Sequence, residues 1–98
     1  MTIEIKKMGV EAVIELSGRL DTSTAPVLDK TINENIPESA DLTLDLKGLE
    51  YISSAGLRVL LSAQKRMKKG GSMKLRNVCE EVMDVLEMTG FADILEIA

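Results

Sequence analysis

Two adjacent hydroxyl groups lie where a predicted strand ends and a predicted helix begins. Ser53 and Ser54 belong to the segment YISSAGLR, residues 51–58. At a helix start the first backbone N–H groups have no intrahelical partners, and the helix dipole favours negative charge. A serine there either caps the helix or, once phosphorylated, holds its phosphate at a position suited to an anion. The residues alone leave both interpretations open.

A second candidate contact lies in the loop before the first predicted helix. Asp21 precedes Thr22, Ser23 and Thr24, which are three possible N-caps. The β-to-α loops of a parallel sheet open on one side, so this loop is expected to neighbour the one with the two serines. Asp21 is therefore either a turn residue or an exposed acidic contact on the same sheet edge.

Three further features have both a structural and a functional interpretation. Gly56 either allows close helix–strand packing or clears space for a partner to approach the serines. The basic run at residues 65–69, with Lys74 and Arg76, is either a solvated helix end or a patch for phosphate or nucleic acid. Cys79 is expected to be a small core residue.

The composition narrows the class of protein. The chain has 98 residues, a 45% apolar share and a formal net charge of −4. These values fit one folded domain over residues 1–98 and argue against nucleic-acid binding. No histidine and only one cysteine are present, which excludes His-based catalysis, His metal ligands and an intrachain disulfide. We expect a cytoplasmic protein that is not an enzyme and has no cofactor, metal site or membrane insertion.

The hydrophobic periodicity predicts an α/β fold with a mixed sheet. Alternating residues 3–5 and 10–16 indicate an antiparallel hairpin, and strands alternating with helices after it indicate parallel neighbours. The predicted order is β-β-α-β-α-β-α-β, with a last strand at residues 94–97. Asn77 is predicted to cap the third helix, with Glu80 three residues later.

Taken together, these residues resemble the STAS domain, and most closely the bacterial anti-sigma factor antagonists. The resemblance covers nearly the whole chain. It rests on the sequence GRLD at 18–21, the strand ending at residues 44–46, and the segment at residues 51–57. Chain length and element order also fit that family.

The serine motif departs from the family pattern in the residue that precedes the modified serine. The pattern reads Asp-Ser-Ser/Thr-Gly-Leu, and its modified serine corresponds to Ser54. Ala55 holds the second motif position and Gly56 the glycine. Ser53 stands where the family has the aspartate, so a negative neighbour is lost and a second hydroxyl is gained. Ser54 is the predicted phosphorylation site, and Ser53 is the second choice.

The resemblance implies a partner-switching regulator. In that family the unphosphorylated antagonist binds an anti-sigma factor that is itself an ATP-dependent serine kinase, and this frees the sigma factor. Phosphorylation ends the interaction, and a PP2C-type phosphatase restores it. The free protein is expected to be a monomer. The expected partner-binding residues are Asp21, Thr22, Ser23, Ser53, Ser54, Ala55, Gly56 and Arg58.

Two other classes of function remain open at this level. One is a STAS module that does not switch and instead docks within a larger complex, such as a lipid-transport assembly. The other is a small-ligand or enzyme domain on the same α/β layout, against which the absence of histidine and of a phosphate loop argues.

Overall fold

A computed structural model describes residues 1–98, which contain a four-stranded mixed sheet in the spatial order β1-β2-β3-β4. The strands are β1 (Thr2–Met8), β2 (Glu11–Leu20), β3 (Asp41–Ile52) and β4 (Ser72–Arg76). β1 pairs antiparallel with β2, whereas β2–β3 and β3–β4 are parallel. The predicted α/β class, the opening hairpin and the parallel neighbours are confirmed.

Helices cover one face of this sheet. α1 (Ala25–Asn35) connects β2 to β3, α2 (Ser54–Met67) connects β3 to β4, and the two helices contact each other. Two right-handed crossovers in the same direction place both helices on the same side. α3 (Glu80–Thr89) contacts β3 and adds Val82 and Leu86 to the same hydrophobic core.

Alternation along the strands explains which face is covered. Leu42, Leu44 and Leu46 in β3 are at most 1% exposed, and Ala12, Ile14 and Leu16 in β2 are at most 3% exposed. Successive strand residues point to opposite faces. The intervening residues of β2 and β3 therefore lie on the face without helices.

The predicted last strand is reduced to one bridge. Phe91–Asp93 form a short 3₁₀ helix, and the backbone N–H groups of Ile94 and Leu95 donate to Phe91 O. These turn bonds occupy the first half of the expected strand. Beyond them only Ile97 pairs with the sheet, through a parallel bridge to Leu75.

Asn77 does not cap α3 as its sequence predicts. The helix begins at Glu80, and Cys79 holds the N-cap position. Asn77 instead adopts a left-handed conformation, with φ of 57°, which asparagine tolerates better than most residues. Its side-chain amide donates to Asp45 Oδ1 at 3.1 Å. Asn77 therefore fixes the β4–α3 connection to the centre of the sheet.

Asp45 connects β3 to the end of β4 and to the β4–α3 connection from the face without helices. It is 7% exposed and accepts hydrogen bonds from the Lys47 N–H, the Asn77 amide and the Arg76 guanidinium. Burial raises the pKa of the Asp45 carboxyl, but these hydrogen bonds together outweigh it and hold the pKa below its ordinary value. Ionised Asp45 therefore stabilises the fold.

We expect Asp45→Asn to lower the free energy of unfolding at pH 7 by about 1–2 kcal/mol, because charge-assisted hydrogen bonds become neutral ones. A lowered folded-state pKa contributes stability above the unfolded-state pKa and loses it as pH falls through the folded-state value. The gap between parent and variant should therefore narrow below about pH 4 in urea denaturation. Asp41→Asn, on the same strand but exposed, is the control. A gap that does not change with pH would contradict the assignment.

Candidate functional site

The two loops predicted to be neighbours are joined at their first residues. Leu20 at the end of β2 pairs with Ile52 at the end of β3. The next residue, Ser53, donates its backbone N–H to Leu20 O at 2.9 Å. The Asp21 loop and the serine loop therefore leave the sheet side by side, as the sequence predicts.

Gly56 brings the first turn of α2 close to this strand pair. A Cβ atom at Gly56 would lie 2.8 Å from Leu20 Cγ and 2.9 Å from Ile52 Cγ1. Both atoms belong to buried side chains, so they have little freedom to move away. Of its two interpretations, the geometry supports close helix–strand packing. Gly56 is itself buried, so its effect on the surface is limited to positioning its neighbours.

The two serines have different surroundings. Ser53 is the N-cap of α2, and its Oγ accepts the Gly56 N–H at 3.3 Å. Ser54 is the first helical residue, is exposed, and its hydroxyl makes no hydrogen bond within the chain. The sequence leaves capping and availability for modification as alternatives for both serines. In the structure Ser53 caps the helix and Ser54 is available for modification.

Asp21 is bound within its own loop. Its Oδ1 accepts the Ser23 hydroxyl at 2.8 Å, the Ser23 N–H at 3.0 Å and the Thr24 N–H at 3.1 Å. The Ser23 hydroxyl and the Thr24 N–H are the main groups that hold the pKa of Asp21 below its ordinary value. The carboxylate therefore satisfies N–H groups just before α1, while its Oδ2 makes no hydrogen bond within the chain. The turn role and the contact role are compatible in this geometry.

The remaining predicted contact residues surround these loops. Thr22 and Ser23 are exposed in the Asp21 loop, Arg58 is exposed on α2, and Ala55 is half-buried and packs against the core. The Thr24 hydroxyl donates to Arg19 O at 2.8 Å and accepts the Asp21 N–H at 2.8 Å. Thr24 thus ties the loop to the end of β2.

An exposed Arg–Tyr pair at this edge is not identified by the sequence interpretation. The Arg19 guanidinium lies 4.0 Å from the centroid of the Tyr51 ring, and Tyr51 is 41% exposed. Cation–π contacts of this kind contribute about 0.5–1 kcal/mol at exposed sites. Arg19 and Tyr51 pair across β2 and β3, so the end of the sheet has an ordered surface beside the loops. The signal available in the sequence is that each residue precedes one of the two loops.

The other features that the sequence singles out lie elsewhere. Arg66 in the basic run donates to Ile36 O at 2.6 Å and lies 3.7 Å from Glu38, so it joins the ends of α1 and α2. Cys79 is half-buried, and its thiol donates to Leu49 O at 3.3 Å.

No group of three or more His, Cys, Asp or Glu side chains is placed to hold a metal ion. None of the helices is long and apolar enough to cross a membrane.

Comparison with known proteins identifies the family. Residues 3–96 match the family described as Mlab, STAS domain. The chain belongs to the STAS domain family. It is 32% identical to the anti-sigma-B factor antagonist of Bacillus subtilis, and the alignment covers 100% of this chain and 91% of that protein.

Solved structures share the fold. A putative anti-sigma factor antagonist from Thermotoga maritima matches with a TM-score of 0.87 at 22% identity, covering 97% of this chain and 84% of that one. The Bacillus cell fate determinant SpoIIAA in its phosphorylated form matches with a TM-score of 0.70 at 16% identity, covering 99% and 91%. At these identities the likeness concerns the fold alone.

The division between the two serines leads to a stability prediction. Ser53→Ala should lower the free energy of unfolding by about 1 kcal/mol, because it removes the side chain that caps α2. Ser54→Ala is the matched control and should change it by less than about 0.5 kcal/mol, since that hydroxyl is exposed and unbonded. Chemical denaturation of the two variants measures both values. Equal losses, or a larger loss for Ser54→Ala, would contradict the assigned roles.

Proposed function

We propose that this protein is an anti-sigma factor antagonist that switches partners according to the phosphorylation of Ser54. The observation that carries the proposal is the free, exposed Ser54 hydroxyl at the start of α2, beside the Asp21 loop, in a STAS domain. When unmodified, the protein binds an anti-sigma factor and thereby releases the sigma factor. The 32% identity to an anti-sigma-B factor antagonist over the whole chain supports this function.

The geometry of Ser54 explains how a phosphate would act on binding without changing the fold. The group adds about −1.5 to −2 charges at neutral pH. At a helix N-terminus this charge gains about 0.3–1 kcal/mol from the dipole, so α2 tolerates it. At an interface where the partner also presents acidic groups, the same charge meets like charges, and such juxtapositions cost several kcal/mol.

Ser53 fits this function although the family pattern has an aspartate there. Serine and aspartate are both good N-caps, and Ser53 accepts the Gly56 N–H in that role. The substitution therefore keeps the helix start and removes a negative charge next to Ser54. Because the Ser53 hydroxyl is engaged in capping, Ser54 is the better substrate of the two.

The proposal implies specific partners. The anti-sigma factor is a serine kinase that uses ATP, and a PP2C-type phosphatase regenerates the unmodified form. The antagonist itself has no catalytic role. The cytoplasm, where sigma factors act on RNA polymerase, is the compartment in which these partners meet.

The central prediction is that the cognate kinase phosphorylates Ser54. Incubation with the kinase and ATP, followed by fragmentation mass spectrometry, should locate the phosphate. Ser54→Ala should abolish the modification, and Ser53→Ala, which leaves the exposed hydroxyl in place, should retain it. Phosphate on Ser53 alone would move the site but keep the switch. If the kinase binds but phosphorylates neither serine, the result would favour a docking module over a switch.

The effect on affinity needs a separate measurement. Ser54→Glu should keep the circular dichroism spectrum of the parent and bind the kinase at least tenfold more weakly, equivalent to about 1.4 kcal/mol. Ser54→Ala should bind like the parent. The decisive comparison uses verified phospho-Ser54 protein in isothermal titration calorimetry. Equal affinity of the phosphorylated and unmodified forms would refute the switch.

Asp21 should contribute to binding through its charge and to folding through its Oδ1. Asp21→Asn keeps an oxygen that can accept the Ser23 and Thr24 N–H groups, whereas Asp21→Ala removes it. We therefore expect both variants to bind the kinase at least tenfold more weakly, with only Asp21→Ala losing appreciable thermal stability. Unchanged affinity in Asp21→Asn would restrict Asp21 to its role in the turn.

A further inference from the structure

Arg58 is an arginine without a partner next to the proposed phosphorylation site. The chain has four arginines. Arg66 bonds Ile36 O, Arg76 pairs with Asp45, and Arg19 lies over the Tyr51 ring. Arg58 is exposed and makes no ion pair or hydrogen bond within the chain. Its charge is therefore available to a group that arrives from outside.

The helix places that charge beside Ser54. Ser54 and Arg58 are four residues apart in α2, so they lie on one face of the helix with Cβ atoms about 5–6 Å apart. An anion N-terminal to a cation is the favourable order for such a pair. The first turn of α2 contains no acidic residue. Nothing in that turn competes for Arg58 before a phosphate is added.

We propose that Arg58 is a positioning residue that pairs with the phosphate on Ser54. The inference rests on the proposed function for the identity of the modification. Arginine matches phosphate geometry through two parallel N–H donors. Before modification the guanidinium is free to contact a carboxylate of the partner. Afterwards the phosphate holds it, so the switch adds a negative charge and withdraws a positive one from the same interface.

The test uses protein with phosphoserine installed at position 54 during synthesis, so that no kinase is required. Phosphorus NMR then gives the second pKa of the phosphate, which is about 6 for a free phosphoserine. Because Arg58 favours the dianion, Arg58→Gln should raise this pKa by about 0.3 unit, equivalent to ~0.4 kcal/mol. Arg58→Lys should restore most of the difference, since it restores the positive charge.

Lys65→Gln provides the matched control. It removes the same charge from the same exposed helix surface, but at about 16 Å from Ser54 along the helix axis. Its phosphate should titrate like that of the parent. A pKa unaffected by Arg58→Gln would overturn the pairing. So would an equal shift in Lys65→Gln, because the effect would then come from net charge alone.

Failure of this inference and failure of the proposed function give different results. If the kinase does not modify Ser54, the switch fails, while the titration of the installed phosphoserine still decides the role of Arg58. If the titration is insensitive to Arg58 but the kinase modifies Ser54, the switch stands and Arg58 does not act through the phosphate.

Discussion

The common ending of β2 and β3 is the constraint on which the rest of the site depends. Leu20 pairs with Ile52, and the Ser53 N–H donates a hydrogen bond to Leu20 O at 2.9 Å. Gly56 then allows α2 to begin in contact with both side chains. Since the core is close-packed, a side chain at position 56 would displace the start of α2. The exposed serine and the acidic loop keep their separation because buried residues fix it.

Much of this arrangement follows from the sequence, because its signals are local. Alternating Leu42, Leu44 and Leu46 identify β3, and a serine pair before a helical pattern identifies the start of α2. The topology of a parallel sheet then brings the two loops together. Sequence alone does not divide the roles of Ser53 and Ser54, since both are acceptable caps and only the backbone decides which one reaches the Gly56 N–H.

The sequence interpretation fails mainly where a long-range contact overrides a local preference. Asparagine is a residue type that often caps helices, yet the Asn77 amide donates a hydrogen bond to Asp45, which lies 32 residues earlier in the chain. The expected last strand is replaced by 3₁₀ turn bonds around Phe91 and one bridge to Leu75. The pairing of Arg19 with Tyr51 likewise depends on the register between two strands. The bridge to Leu75 and the Arg19–Tyr51 pair join residues far apart in the sequence, whereas the turn bonds around Phe91 are local.

A rigid site of this kind suits regulation by charge. The Asp21 carboxylate is held by its own loop, and the first turn of α2 is held by the Ser53 cap and by packing at Gly56. The repulsion that a phosphate on Ser54 would cause therefore cannot be relieved by a small movement of the loops. We expect it to change binding instead. In a flexible loop the same charge would turn towards solvent and lose much of its effect through screening. The packing that holds the two loops together thus makes a single exposed hydroxyl an effective position for a switch.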